Sequence, residues 1–303
     1  MDQTPRNVSE TARDHRALFT RRKWIKRVAG SVSLGSVGIG LYTWRIEPRW
    51  VEVVERSMPI RNLPVPLEGR TLVQISDIHI GDDVDDSFLI DWFQRVAKWA
   101  PDIVVFTGDF LTLRRDQSLP IDQMESVLSH FPRGKLATIG ILGNHDYGIH
   151  WNDTQAADVV TGIAENAGLD IVRNGMRNID GLQIVGFDDF WGPNFGGAKV
   201  LGNIDLSLPT LVLCHNPDVV DLPVWSGYRG WILSGHTHGG QCKPPFLKPP
   251  ILPIHNKRYA AGEIPLSDGR RLYVNRALGH NMRVRFNVRP EVTIFRLTCD
   301  HSN

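Results

Sequence analysis

The sequence predicts a layered α/β fold, and three observations support this prediction. Short apolar runs that suit buried strands alternate with amphipathic runs that suit helices from residue 70 onward. The chain has 303 residues, of which 42% are hydrophobic and 22% charged, a composition typical of globular proteins. Its three cysteines are an odd number and lie far apart, so they fit neither a disulfide scaffold nor a cysteine-rich zinc module. Alternating strands and helices form a sheet with helices packed against it.

The charge of the chain excludes one class of partner. Lys and Arg number 34 and Asp and Glu number 33, which gives a formal net charge of +1. A chain this balanced has no overall field that attracts polyanions. We therefore expect no nucleic acid among its partners.

The N-terminal part predicts a targeting or anchoring segment. Residues 1–27 form a polar tail that ends in a basic cluster, and residues 28–44 form an uncharged stretch at the lower limit of bilayer-spanning length. Residues 20–26 resemble the twin-arginine export signal of bacteria. No small-x-small cleavage site follows, which favours an uncleaved membrane anchor with the rest of the chain on the periplasmic or extracellular side. The alternative is an amphipathic or disordered tail on a cytoplasmic protein.

The remaining elements follow in order after a linker over residues 45–69 and form one domain over 70–303. Apolar runs of strand length cover residues 71–75, 103–106, 136–142, 182–187, 211–213, 231–233, 272–274 and 292–297. Apolar residues at helical spacing predict helices over 87–100, 121–131 and 156–163. The proline-rich segment 241–253 is predicted to be a loop.

Residue types that bind metals come directly after five of the predicted strands. In chain order they are Asp77 and His79, then Asp109, then Asn144, His145 and Asp146, then His215, and finally His236 and His238. If these strands are parallel neighbours, their ends meet at one edge of a sheet, where the sites of open α/β sheets lie. Glycines precede three of these groups and suit turns in which the backbone approaches an ion closely.

These motifs resemble a known family. Asp-x-His, Gly-Asp, Gly-Asn-His-Asp, a later His and Gly-His-x-His occur in this order between about residues 70 and 297 and resemble the calcineurin-like metallophosphoesterase superfamily. The segments Gly235 to Gln241 and Tyr273 to Gly279 resemble its membrane-associated bacterial phosphodiesterase branch. The resemblance implies a four-layer α/β/β/α sandwich with two mixed β-sheets and the activity of a metal-dependent phosphoric ester hydrolase.

The resemblance also implies a centre with two divalent metal ions, for which manganese, iron or zinc would suit the nitrogen and oxygen ligands. Asp77, His79, Asp109 and His238 would hold one ion, and Asp109, Asn144, His215 and His236 the other, with Asp109 bridging the two. Two divalent cations outweigh the charges of two carboxylates, so the centre stays positive and attracts phosphate.

Two further residues are expected to take part in catalysis. We expect His145 to protonate the leaving alkoxide or to stabilise charge on the phosphoryl group. We expect Asp146 to orient the His145 imidazole, although it could instead cap the helix that follows.

The predicted reaction is hydrolysis of a phosphodiester, phosphomonoester or pyrophosphate. Because the anchor would place the site near a bilayer, a membrane-proximal or lipid-linked phosphate ester is the expected substrate. One alternative is an enzyme similar to the UDP-2,3-diacylglucosamine pyrophosphatases of lipid A synthesis, which would need the site on the cytoplasmic face. Another is a non-catalytic binding scaffold with the same fold, but such scaffolds usually lose ligands, and here every motif position is filled.

Several polar residues outside the motifs are expected to be structural. Asp188 and Asp189 are predicted to lie in a surface turn, and Arg276 and Arg285 either to contact substrate or to form salt bridges. The segments 110–120 and 192–203 are expected to be loops that shape the substrate pocket without a readable specificity code.

Overall fold

The computed structural model describes residues 21–115 and 117–300, with side chains from residue 24 onward. The described residues up to Leu41 and those from Tyr42 onward form two compact units. The first contains helix α1 (Arg21–Leu41). Within the described ranges, no helix combines the length and the apolar character needed to cross a membrane. The anchor predicted over residues 28–44 is therefore not confirmed, and the basic tail predicted over 1–27 lies largely outside the described residues.

The second unit contains two six-stranded sheets. The strands of the first sheet are β1 (Glu52–Ile60), β2 (Thr71–Ile75), β3 (Ile103–Thr107), β4 (Ala137–Ile141), β5 (Asp170–Ile171) and β12 (Glu291–Cys299). Their spatial order is β1-β12-β2-β3-β4-β5. Strands β2 to β5 are parallel to one another, β12 is antiparallel to β2, and β1 is parallel to β12. The sheet is therefore mixed, with its parallel part on the side that carries three of the motifs.

The second sheet has a similar plan. Its strands are β6 (Gly175–Ile179), β7 (Leu182–Gly186), β8 (Thr210–Leu213), β9 (Trp231–Ser234), β10 (Gly262–Pro265) and β11 (Arg271–Val274). Their order is β10-β11-β9-β8-β7-β6, with a parallel centre from β11 to β7 and an antiparallel strand at each edge. This sheet is also mixed, as predicted.

Alternating side chains of the strands separate the core into layers. In β2, Leu72 packs between the two sheets, whereas its neighbour Val73 packs on the outer face of the first sheet, because successive strand residues point to opposite faces. The helices are α2 (Asp86–Lys98), α3 (Ile121–Leu128), α4 (Thr154–Asn166) and α5 (Gly197–Leu201). Helices α2 to α4 cover the first sheet, and the short α5 with a 3₁₀ turn over Pro217–Asp221 covers the second. The four-layer sandwich with two mixed sheets is confirmed.

One boundary prediction was wrong. Residues 45–69, predicted to be a linker, contain strand β1, which pairs with β12 from Glu52 opposite Glu291 to Ile60 opposite Cys299. The strand was missed because it lies at the edge of the sheet, where charged residues such as Glu55 and Arg56 and a proline, Pro59, are tolerated and hide the apolar pattern.

Candidate metal centre

The five motif segments lie at the carboxyl ends of β2, β3, β4, β8 and β9, so both sheets contribute to one site. The structure brings six of the predicted ligands together in two groups. Asp77, His79 and His238 form group one, and Asp109, His215 and His236 form group two. In each group the ligand atoms lie within 4.8 Å of one another, and all six side chains are buried. These are the two sets expected from the family resemblance, apart from Asn144 and the second role of Asp109.

The backbone of these segments is unusual. Residues with a left-handed backbone include Asp77 (φ 52°), His79 (φ 47°), Asp109 (φ 62°), His236 (φ 71°) and His238 (φ 52°). Residues with a side chain seldom adopt this conformation, and it concentrates at functional sites. Here it turns the chain sharply after β2, β3 and β9, so that the segments after β2 and β9 can each direct two side chains into the cluster.

The histidines of group two turn unprotonated nitrogens towards each other. His215 Nδ1 donates to the carbonyl oxygen of Thr107 at 2.7 Å, and His236 Nε2 donates to that of Pro253 at 2.9 Å. Because a carbonyl only accepts, the proton of each neutral ring sits on that nitrogen, and the other nitrogen carries a lone pair. His215 Nε2 lies 3.2 Å from His236 Nδ1 and 3.1 Å from Asp109 Oδ2. Three electron-rich atoms therefore face a common point, which calls for a cation.

Group one has the same arrangement. His238 Nδ1 donates to Gln241 Oε1 at 3.0 Å, and His79 Nδ1 donates to the Thr112 hydroxyl at 2.6 Å, which itself donates to Asn281 Oδ1. The Nε2 atoms of the two rings consequently carry lone pairs, although they lie only 2.9 Å apart. His238 Nε2 is also 3.3 Å from Asp77 Oδ1. Hydrogen bonds of this kind behind a metal-binding histidine fix the orientation and tautomer of the ring.

Asp109 and Asn144 lie where shared and additional ligands are needed. Asp109 Oδ2 faces His215 Nε2 in its own group and lies 3.7 Å from His79 Nε2 of group one. The side chain of Asn144 is buried, and neither of its polar atoms has a hydrogen-bond partner among the described residues. A buried amide without partners is costly, so its oxygen fits a metal ligand better than a packing role.

The glycines of the motifs make room for the carboxylates. A Cβ atom at Gly143 would lie 2.7 Å from the backbone nitrogen of Asp109, and one at Gly235 would clash with the Asp77 carboxylate. No larger residue fits at either position without displacing a ligand. The donor set, the orphaned amide and these close approaches all fit a dimetal centre.

The charge states of the ligands suit metal binding. Burial lowers the pKa of His79 well below its usual value and lowers that of His236 to about 3, so both rings are neutral at pH 7. Burial also acts to lower the pKa of His215, but the Asp109 carboxylate outweighs it and raises this pKa well above its usual value. Burial acts to raise the pKa of Asp109, yet His215 and His145 bring it well below the usual range. Asp109 is therefore ionised, and its charge would be balanced by a cation held between its carboxylate and the His215 lone pair.

His145 lies beside the cluster as predicted from its position after β4. Its backbone N–H donates to Asp109 Oδ1 at 2.9 Å, and its ring centroid lies 5.2 Å from that of His79. Burial lowers the pKa of His145, although Asp109 acts against this. At neutral pH the ring is therefore an uncharged hydrogen-bond donor next to the ligands.

The structure gives Asp146 a different part from the one predicted. Its carboxylate accepts hydrogen bonds from the backbone N–H groups of Gly143 at 2.8 Å, Phe110 at 2.8 Å and Asp109 at 3.1 Å. Asp146 thus fastens the loop after β3 to the loop after β4, rather than holding the His145 ring. The sequence suggested an orienting role because Asp146 follows His145 directly, but the 3₁₀ turn over Asn144–Tyr147 directs the carboxylate towards the backbone.

Two aspartates outside the motifs lie in surroundings other than those predicted. Asp188 and Asp189, expected in a surface turn, are buried. Asp188 accepts hydrogen bonds from Tyr147 and Arg173, and Asp189 Oδ2 accepts from the backbone N–H groups of Trp191 at 2.7 Å and Gly192 at 2.9 Å. Their position directly after β7 was the available signal.

The two arginines take the structural option. Arg276 pairs with Glu291 and, at 3.0 Å, with Glu52. Arg285 is fully buried and donates to the backbone carbonyls of Arg276, Gly279 and Val288. Both residues therefore brace the segment between β11 and β12.

Comparison with known proteins agrees with this geometry. The family model described as calcineurin-like phosphoesterase matches residues 70–240. A Bacillus subtilis protein described as uncharacterized metallophosphoesterase YkuE is 31% identical, over 92% of this chain and 98% of its own length. Phosphodiesterase YaeI of Escherichia coli is 29% identical over 92% of this chain and all of its own. UDP-2,3-diacylglucosamine pyrophosphatase LpxG of Chlamydia muridarum is 27% identical over 89% of this chain and 97% of its own.

The family match covers more than half of the chain and includes all five motifs, and the relatives align over nearly their whole length. Family members use a dimetal centre, and the two Asp and His groups provide one here. The protein therefore belongs to the calcineurin-like phosphoesterase family and is a metal-dependent phosphoric ester hydrolase.

Proposed function

We propose that this protein hydrolyses a phosphodiester or pyrophosphate bond in a lipid-linked substrate at a membrane surface. The observation that carries the hydrolytic part is the convergence of four histidine lone pairs and two carboxylates on two points. The lipid-linked part is supported by the name of one relative, UDP-2,3-diacylglucosamine pyrophosphatase LpxG, and by an exposed apolar loop beside the site.

The chemistry divides between the bound ions and the side chains of this chain. Two divalent cations in the two groups would supply positive charge for the phosphoryl oxygens and lower the pKa of a water molecule. Asp77 and Asp109 hold the ligands in place, since Asp77 accepts the backbone N–H of His236 at 2.9 Å and Asp109 accepts that of His145. In hydrolysis the water oxygen bonds to phosphorus, the ester oxygen leaves, and that oxygen must gain a proton.

His145 is suited to the phosphoryl group rather than to the leaving oxygen. Burial lowers its pKa, and nearby cations would lower it further, so the ring is neutral at pH 7. A neutral imidazole has one N–H to donate, which can stabilise charge that develops on a phosphoryl oxygen. We therefore assign His145 a stabilising role and leave protonation of the leaving group to solvent.

An exposed apolar loop supports the membrane part of the proposal. The apolar loop, residues 244–251, displays Phe246, which is fully exposed, together with Leu247 (63% exposed) and Ile251 (75% exposed). Lys243 precedes this loop and Lys248 lies within it. Their positive charges would attract an anionic lipid surface. Apolar side chains that stand out in water in this way mark a surface that contacts a partner or a membrane.

The apolar loop is tied to the metal centre at both ends. At one end Gln241 accepts the Nδ1–H of His238, and at the other the carbonyl of Pro253 accepts the Nε2–H of His236. Lys257 holds the far end by donating to the carbonyls of Leu252 and Ile254. A membrane that contacts this loop would therefore lie close to the ligands.

A substrate like that in the name of LpxG is the second candidate. UDP-2,3-diacylglucosamine combines a pyrophosphate with two acyl chains, and LpxG aligns over nearly its whole length with this chain. This candidate needs the site on the cytoplasmic face. A broader phosphodiesterase needs no such location and is compatible with a membrane anchor at residues 28–44 and a periplasmic or extracellular domain.

Purified full-length protein tests the hydrolytic proposal. We expect two divalent ions per chain by elemental analysis and turnover of bis-p-nitrophenyl phosphate when manganese, iron or zinc is supplied. Absence of bound metal together with absence of turnover would instead support a non-catalytic scaffold.

The substrate and the location need separate tests. We expect a long-chain phosphodiester or UDP-2,3-diacylglucosamine in vesicles to be cleaved with a higher kcat/KM than a water-soluble diester of the same head group. Equal values would argue against a lipid-linked substrate. Protease added to intact cells should digest the domain if it lies outside, and protection would move the proposal to the cytoplasmic face.

A further inference from the structure

Two tryptophans form a wall beside the metal centre. The aromatic wall consists of Trp151, in the turn after β4, and Trp191, in the loop after β7. Their rings stack with centroids 4.9 Å apart and an interplanar angle of 22°. Neither residue belongs to a metal-ligand motif, and the two come from different sheets.

The aromatic wall contacts both kinds of active-site histidine. The Trp191 ring meets the His236 ring edge-on with centroids 4.5 Å apart. The Trp151 ring lies 6.2 Å from that of His145, the residue assigned to the phosphoryl group. A phosphorus atom bound between His145 and group two would therefore have this wall directly beside it.

The chain holds Trp151 at an energetic cost, which indicates that packing alone does not explain this residue. Trp151 has a left-handed backbone (φ 58°), a conformation that is unfavourable for a bulky side chain. Its side chain is also 36% exposed, so it gains only part of the benefit of burial. Trp191 is fixed by a buried carboxylate, because Asp189 Oδ2 accepts its backbone N–H.

Gly192, next to Trp191, also packs closely against the motif that carries His145. A Cβ atom at this glycine would lie 3.2 Å from Tyr147 Cε2. Tyr147 in turn donates to Asp188, and Arg173 bonds to both residues. The wall is thus built on a network that joins the loop after β7 to the 3₁₀ turn of His145.

From these contacts we infer that Trp151 and Trp191 bind the second organic group of a phosphodiester and so favour diesters over monoesters. The inference rests on the proposed hydrolytic function. A diester places an organic group on each side of phosphorus, and an exposed indole face offers apolar and stacking contact to one of them. A monoester has only one such group, so it can place that group elsewhere and gains less from the wall.

The test compares two soluble substrates with the same leaving group. Wild type, Trp151→Gly, Trp191→Leu and the control Trp99→Ala are loaded with manganese and assayed with bis-p-nitrophenyl phosphate and p-nitrophenyl phosphate. Glycine suits the left-handed backbone at position 151, so this variant should fold. Trp99 is a matched control, since it is 39% exposed and precedes the start of β3, at the end of the strands opposite the site.

We expect kcat/KM for the diester to fall about ten-fold in each wall variant, mainly through KM, while the monoester changes less than about two-fold. Trp151→Phe should restore most of the diester activity. The Trp99→Ala variant should match wild type with both substrates.

An equal loss with both substrates, or no loss with either, would overturn the inference while leaving the hydrolytic function intact. Absence of turnover by wild type with either substrate would instead remove the proposed function. Metal content measured on each variant shows whether a loss of activity comes from the missing tryptophan or from a missing metal ion.

Discussion

The metal-ligand cluster and the rim around it are built in different ways. The cluster takes its residues directly from strand ends, and its side chains are buried. The rim, formed by the aromatic wall and the apolar loop, comes from segments without regular structure and exposes Trp151 and Phe246. The cluster supplies the metal-dependent chemistry that the family shares. The rim instead offers apolar and aromatic surface to a substrate or a membrane. The residues that carry out the reaction are therefore separate from those that contact the substrate. Variants of the cluster should lose metal or turnover, and variants of the rim should lose substrate preference or membrane binding.

The largest effect is expected from Asp109→Asn in the cluster. Asp109 faces both groups, so loss of its charge should remove metal from both and reduce turnover roughly 10⁴-fold or more. Elemental analysis and bis-p-nitrophenyl phosphate turnover measure the two effects. Asp91→Asn, exposed on α2, is the matched control. Retention of both ions by Asp109→Asn would contradict a bridging role.

His145→Ala should lose activity without losing metal. Its ring lies beside that of His79, but its hydrogen bond to a ligand, Asp109, runs through the backbone N–H, which alanine retains. We expect turnover to fall about 10³-fold, within the range for a residue that stabilises or transfers charge in the transition state. The two ions should remain by elemental analysis. Intact turnover would remove His145 from the mechanism.

Asp146→Asn distinguishes the observed role of this residue from the predicted one. An amide cannot accept as many backbone N–H bonds as the carboxylate, so the loops after β3 and β4 should loosen. We expect metal affinity to fall about 10- to 100-fold, as for other residues that hold ligands in place. If Asp146 worked only through the His145 ring, its effect would disappear in a His145→Ala background; we expect it to persist there.

The sequence predicted the cluster well because its ligands directly follow the ends of strands. Short apolar strands end at one edge, and the polar residue after each end, such as Asp77 or His215, must lie there. Aspartates are mostly exposed, which makes a surface turn the expected place for Asp188 and Asp189, although they follow β7 in the same way. The part played by Asp146 could not be predicted, because it depends on the turn of the backbone rather than on spacing.

The rim was beyond sequence reasoning for a different reason. Trp151 and Trp191 are 40 residues apart and belong to segments with no periodic pattern, so no sequence pattern predicts that their rings stack. Strand β1 was likewise missed, because an edge strand carries charges that a buried strand does not. Long-range pairing and loop geometry, rather than local propensity, decide these features.

Acid should destabilise the folded protein through His280, which lies in the segment between β11 and β12. This buried ring interacts with the carbonyl of Asp83 through Nε2, and burial lowers its pKa to about 4. The unfolded chain therefore takes up the proton first, so stability is lost as pH falls from about 6.5 towards 4, by about 2 kcal/mol at pH 5. His280→Gln should lose less free energy of unfolding between pH 7 and pH 5 by this amount, measured by urea denaturation. An unchanged pH dependence would show that the ring has the same pKa in the folded and the unfolded chain.

The smallest effect on the chemistry is expected from the apolar loop. Replacing Phe246 and Leu247 by serine removes exposed apolar area without touching the hydrogen bonds of Gln241 and Pro253 to the metal ligands. Turnover of soluble bis-p-nitrophenyl phosphate should therefore stay within about two-fold of wild type. Binding to vesicles with anionic lipid should fall about thirty-fold, because partial burial of each of the two side chains contributes on the order of 1 kcal/mol. Val65→Ser, at another exposed apolar position, is the control for a general loss of surface hydrophobicity. Unchanged vesicle binding in the double variant would assign the apolar loop to a partner other than lipid, and the substrate would then have to reach the aromatic wall from solution.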